Sequence, residues 1–308
     1  MLEAGLIASR FLHYVAVLSL FGASLYPLYT FRGRLDFLAS EQAQFTRRLR
    51  RMLFLAVILT LISGLGWFVF TTAAMTDDMM HVIDSTTLHM MMEATDFGPL
   101  WVIRLTLAVI IGILLLGWPR KASRIAVPLL AALLLASLAG TGHTRATEGW
   151  AGWVHIASDA THLLAAGFWL GGLWPLGLLV VAARDGDTNA LPIAEVLRRF
   201  SGVATGTVAA LLASGLVDSW FLVGSFGMLV STIYGQLLLA KVTLFGLMAL
   251  LAAANRFWIT PRLDEERSPT RGRWLHRLRY HVVAEQVLGM GVLAVVSLLG
   301  TLQPAISQ

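Results

Sequence analysis

The sequence contains no cysteine. Disulfides, thiolate metal sites and CxxC redox chemistry are therefore excluded. Charge is also scarce: 13% of residues are Asp, Glu, Lys or Arg, against 57% apolar, and mean hydropathy is +0.73. Soluble domains carry roughly 25% charged residues, so a globular domain with a polar surface is excluded. No HExxH, Walker A loop, GxGxxG after a strand or GxSxG elbow is present, which removes the enzyme classes those motifs serve. The net charge of +5 would suit nucleic acid. Its arginines, however, fall in short segments between apolar runs, a pattern of membrane topology rather than of a basic binding face.

What the chain has instead is long apolar runs, each near the ~20 residues needed to cross a hydrocarbon core. They predict eight helices: Leu6–Leu28, Met52–Thr72, Leu100–Trp118, Ile125–Thr141, Trp153–Val181, Ser201–Val223, Gly235–Trp258 and Val282–Leu302. The first run lacks a basic leader and a small-residue cleavage site, so it is expected to be a retained helix. Nineteen of the 23 Lys and Arg residues follow helices 1, 3, 5 and 7. Both termini are therefore expected on the outer, periplasmic face of a bacterial inner membrane.

The runs also echo one another. Ala8-Ser9, His13, Gly22 and Leu25-Tyr26-Pro27-Leu28 reappear as Ala157-Ser158, His162, Gly171 and Leu173-Trp174-Pro175-Leu176. Ser63-Gly64-Leu65 matches Ser214-Gly215-Leu216. Gly98, Arg104 and Thr106-Leu107 match Gly235, Lys241 and Thr243-Leu244, and Ser137–Thr141 matches Ser297–Thr301. Four echoes in order predict an all-α membrane protein of two tandem four-helix repeats, residues 1–150 and 151–308. Four is an even number, so a pseudo-two-fold axis along the membrane normal is expected, with a site at the interface.

Ionisable groups inside a bilayer are costly and mark function. Topology places His13, His143, His155, Asp159, His162, Arg104 and Lys241 in the outer half of the membrane. His155, Asp159 and His162 share one helix face at i, i+4, i+7. His155 and His162 are about 10 Å apart along that helix, too far to chelate one ion. The repeat makes His13 the partner expected for His162. Two neutral imidazoles facing each other suit Cu(I) or a bis-histidine haem b, with hydrogen bonding between helices as the plain alternative. Arg104 and Lys241 could hold haem propionates or a quinone oxygen, or Asp159 could neutralise one of them. Arg256 and Glu285, near the inner ends of their helices, are expected to form an ion pair or an inner gate. Gly167 with Gly171, and Gly202 with Gly206, have the spacing that lets helices pack closely.

Between helices 2 and 3, Met75, Met79, Met80, His81, His89, Met90, Met91 and Met92 crowd into residues 75–92, a span holding six of the eleven methionines. Thioether and imidazole are the soft ligands that select Cu(I). An amphipathic segment lying on the membrane, with Met as adaptable packing, explains the same residues.

The chain resembles the CopD/PcoD family of inner-membrane copper resistance and copper import proteins. The likeness rests on His162 followed by Gly167-Phe168-Trp169-Leu170-Gly171-Gly172-Leu173-Trp174-Pro175-Leu176, on Tyr234–Lys241, on Asn255-Arg256 and on Leu299–Pro304. It is sharpest from about residue 155 onward. The resemblance implies copper movement across the inner membrane, in company with a separate periplasmic carrier of the CopC type. On that reading Met79, Met80, His81 and His89 capture Cu(I), His143 and His155 relay it, and His13 with His162 hold it. Two other readings stay open: a haem b redox protein with His13 and His162 as axial ligands, and a copper sensor or assembly factor that does not transport.

Overall fold

The computed structural model describes residues 1–31, 39–76, 79–95, 97–140, 149–183, 193–264 and 271–307. The side chains of residues 39–42, 80, 81, 140 and 264 are outside that description. The described residues are helical, with no strand among them, and eight of the helices are long and apolar enough to cross a membrane. They are α1 (Leu2–Thr30), α2 (Ala39–Thr76), α3 (Phe97–Leu116), α4 (Lys121–Ala136), α5 (Gly149–Ala182), α6 (Ile193–Val223), α7 (Ile233–Ala254) and α8 (Arg271–Leu299).

Several helices outrun the apolar stretch that predicts them. α2 begins thirteen residues before the expected Met52, and α8 begins eleven before Val282. The added turns carry Arg47, Arg48, Arg50 and Arg51 in α2, and Arg273, Arg277 and Arg279 in α8. Hydropathy reports only the part of a helix that lipid surrounds. Backbone bonding continues through the interface, where long basic side chains reach back to water and headgroups. α4 differs the other way: it ends at Ala136 and tightens into a 3₁₀ turn over Ser137–Gly140. α6 stops at Gly224, whose φ of +74° is the left-handed conformation that glycine adopts cheaply after a helix end.

α1 and α5 form the centre of the bundle. α1 packs on α2, α4 and α5, while α5 packs on α6, α8 and α1. α3 lies along both α2 and α4; α7 lies along α8 but scarcely meets α6. One apolar core gathers Leu18, Leu53, Ile111 and Leu134 around α1 to α4, and a second gathers Trp169, Leu173, Leu197 and Leu278 around α5, α6 and α8. Leu55, Ile62, Leu116, Leu216 and Val287 are more than half exposed, the outward apolar face that lipid would cover.

α1 and α5 meet at glycine. A Cβ built on Gly22 would lie 2.6 Å from the Cα of Gly171 and would strike the carbonyl oxygen of Gly167. One built on Gly171 would lie 2.8 Å from the Cα of Gly22 and would strike the carbonyl oxygen of Leu18. Only hydrogen fits at either position, so the two backbones touch. The Gly202 and Gly206 pair has the same spacing, yet a Cβ at either meets nothing within 4 Å. Spacing alone does not distinguish a packed glycine stripe from an idle one.

Candidate functional site

Each of the two central histidines is bound within its own group of helices. His13 on α1 is buried, and its Nδ1 lies 3.1 Å from Ser63 Oγ on α2. His162 on α5 lies 3.0 Å from Ser214 Oγ on α6 through the same ring nitrogen. Both serines spend their own proton on the carbonyl four residues back, Ser63 on Leu59 at 2.5 Å and Ser214 on Ala210 at 2.6 Å. Each hydroxyl oxygen is therefore an acceptor toward its histidine. Nδ1 must carry the proton, which leaves the Nε2 lone pair directed away from the serine. His13 Nε2 is buried and has no hydrogen-bond partner among the described residues. Gly64 and Gly215 each follow their serine: a Cβ at Gly64 would press on His13 Cε1 at 3.3 Å, whereas one at Gly215 would make ordinary contact with His162 Cε1 at 3.5 Å.

The two rings do not face each other. Nine residues separate His13 from Gly22 and His162 from Gly171, which is about two and a half helical turns. Since the glycines face across the α1–α5 contact, the histidines lie on the far sides of those helices, toward α2 and α6. The structure brings Ser63 and Ser214 to them, rather than one imidazole to the other.

The surroundings of the two rings differ in charge. Trp67 packs edge-on to His13 at 5.5 Å, and the Arg10 guanidinium sits 5.0 Å over that indole. Arg104 is within electrostatic reach of His13 and is anchored on α4's end, donating to Ser137 Oγ at 3.0 Å and to its carbonyl. His162 has Lys241 within electrostatic reach, and Lys241 in turn has Asp159 and Asp218. One cation thus reaches each ring, Arg104 at His13 and Lys241 at His162, and of the two Lys241 has carboxylates, Asp159 and Asp218, within electrostatic reach. Of the two cations open to Asp159, Lys241 is its neighbour. Asp218 and Arg10 are absent from the sequence expectations, and Ser63 and Ser214 enter them only as an echo between the halves, not as site residues. The rule that flagged Asp159, an ionisable residue inside an apolar run, applies equally to Asp218 and Arg10.

Two family models match the chain: one described as the copper resistance protein D-like N-terminal domain, over residues 1–153, and one as copper resistance protein D, over residues 194–299. The copper resistance protein D of Pseudomonas syringae pv. tomato is 32% identical, across 97% of this chain and 96% of its own length. The chain belongs to the copper resistance protein D family. The inner membrane protein YebZ of Escherichia coli (strain K12) is 31% identical over 97% of the chain and 98% of its own length. A copper transport protein, CutJ of Bacillus subtilis (strain 168), is 38% identical over 40% of the chain and 22% of that protein. No solved structure matches.

In this member of the family the remaining expected residues are dispersed. His155 is buried on α5 and stacks on Phe221 at 4.6 Å. His89, in a short helix over Ser85–Glu93, is exposed and pairs with Glu93 at 3.1 Å. Met79 and Met90 are exposed, whereas Met91 is buried, with its backbone against Gly98. His143 and the side chains of Met80 and His81 lie outside the described residues. Among the described residues no group of three or more His, Asp or Glu stands close enough to hold a metal ion.

Arg256 and Glu285 are not joined. Arg256 donates to the Ser201 carbonyl and to Thr205 Oγ1 on α6, both at 2.7 Å. Glu285 is buried on α8 and accepts from Asn255 Nδ2 at 2.6 Å and Trp169 Nε1 at 3.4 Å, while Asn255 Oδ1 bonds His281 Nδ1 at 2.8 Å. The chain passes here through a π-helical turn over Asn255–Ile259, with Asn255 facing Glu285 and Arg256 facing α6.

Proposed function

We propose that this protein carries Cu(I) across the bacterial inner membrane from the periplasm inward, with both termini periplasmic. The supporting observation is the pair of serine-held imidazoles. A metal-binding histidine almost always gives its second N–H to a fixed acceptor, which orients the ring and raises the basicity of the ligating nitrogen. His13 and His162 each have that arrangement, and neutral imidazole suits Cu(I). The names of the relatives, copper resistance protein D and a copper transport protein, point the same way.

The chain reads as two tandem four-helix repeats about an axis through the α1–α5 glycine contact. Supporting this, Gly22 meets Gly167 and Gly171 just as Gly171 meets Leu18 and Gly22. Such reciprocity is the signature of an isologous contact. The repeat supplies two half-sites. A cation favours the His162 half, where Asp159 and Asp218 offset Lys241, over the His13 half, where Arg104 is the charged neighbour. The exposed thioethers of Met79 and Met90 are placed to accept Cu(I) from a separate carrier of the CopC type. The test is Cu(I) competition against a chromophoric chelator, using purified protein in nanodiscs. His162→Ala should weaken the tightest site at least ~10-fold, with a smaller loss for His13→Ala. An intense Soret band lost in both variants would replace copper with haem b.

A further inference from the structure

The two halves diverge most beside the imidazoles. Next to His13, Trp101 donates from Nε1 to the Gly64 carbonyl at 2.9 Å and stacks on Phe68 at 4.2 Å. Carried along the sequence echoes, Trp101 corresponds to Leu238 and Phe68 to Ser219. Both ring systems are missing from the second half, and α7 has little contact with α6 to close the gap. A cavity of about 210 Å³ is left, lined by His162, Trp169, Ser219, Leu238, Lys241 and Phe245 among others.

The cavity's mouth, depth and chemistry restrict what can fill it. At the mouth Leu212, Leu216 and Val242 are 53%, 73% and 55% exposed, so access is from the hydrocarbon side. At 1.5 Å per residue His162 lies about 14 Å from Trp153 and about 28 Å from Val181, the two ends of the apolar stretch of α5, within the hydrocarbon layer. A phospholipid head does not reach this depth. Asp159 and Asp218 already offset the Lys241 ammonium, which disfavours an anionic head. The lining is mostly apolar, and the donors of Ser219 and Trp169 are spent on the Gly215 carbonyl and Glu285; Lys241 remains as a hydrogen-bond donor and His162, protonated at Nδ1, as an acceptor. A carbonyl ring accepts from Lys241; its reduced, hydroxylated form donates to His162. An apolar cavity of about 150 Å³ holds benzene, so 210 Å³ accommodates a substituted ring.

We propose that this cavity binds the ring of a lipid-soluble quinone entering between α6 and α7. The inference does not rest on copper transport: a metal and the hydroxylated ring would compete for His162 Nε2, so the binding test uses copper-free protein. Decylubiquinone is the probe, distributed by dialysis between nanodiscs carrying the protein and empty nanodiscs of the same phosphatidylcholine. The expected result is saturable excess binding of one molecule per chain. The double variant Ser219→Phe/Leu238→Trp, which rebuilds the aromatic plug of the first half, should weaken it at least tenfold. Ala166→Leu, intruding from the α5 wall, should do the same if the double variant fails to fold. Lys241→Met should cost several-fold. No saturable excess, full binding in a correctly folded plugged variant, or displacement by decylbenzene as effective as by the quinone would overturn the proposal. The last result would make the cavity a seat for any apolar tail.

Discussion

Replacing Gly171 by alanine isolates the α1–α5 contact. Two effects oppose. Alanine favours a helix over glycine by about 1 kcal/mol. Overpacking a closed contact costs about 1–3 kcal/mol. At Gly171 the new methyl meets the Gly22 Cα at 2.8 Å and its nitrogen at 2.9 Å, atoms of a backbone that cannot rotate aside. The cost therefore belongs at the upper end of its range, and the net loss should be about 2 kcal/mol, roughly 30-fold in the folding equilibrium. Gly22→Ala should behave alike. The double variant should lose less than the sum, because helices already pushed apart by one methyl accommodate the second. Gly202→Ala and Gly206→Ala are the controls. With nothing within 4 Å of either Cβ, only the helical gain remains, and stability should hold or rise by up to about 1 kcal/mol. Unfolding in mixed micelles by SDS titration, followed by circular dichroism, reads all five variants. A Gly171→Ala protein as stable as Gly202→Ala would refute the close contact.

The tautomer argument predicts that Ser214→Ala weakens Cu(I) binding by about 10- to 100-fold while leaving the helical content intact; an unchanged affinity in chelator competition would remove serine from the site. For topology, the native lack of cysteine permits single labels. Ser225→Cys should react with an impermeant maleimide from outside in intact cells, and Lys121→Cys only after permeabilisation. The opposite pattern would invert the membrane orientation.

The spans were legible because lipid burial demands some twenty apolar residues in a row, a constraint that survives any detail of packing. His13 and His162 were legible for the converse reason, as ionisable groups where few are tolerated. Their partners were harder to see. Ser63 and Ser214 stand out as an echo, but a serine in an apolar helix usually bonds only its own turn, and nothing local shows that its oxygen also receives an imidazole. The idea that the rings converge required an angular position as well as a depth. That angle depends on which helix face the glycines bury, a tertiary fact. Arg256 and Glu285 show the same limit in another form: both are charged residues near the inner ends of their helices, yet they bond to different neighbours, which depth alone does not report.

The glycine crossing of α1 and α5 has a mechanical consequence. With backbone against backbone and no interlocking side chains at that point, the crossing is the natural fulcrum for any relative rotation of the two helix groups. His13 and His162 lie nine residues above it, a lever arm of about 14 Å. A swing of 10° about the fulcrum would carry each imidazole about 2.5 Å at that arm length, close to the length of a metal–ligand bond, while leaving the pivot unmoved.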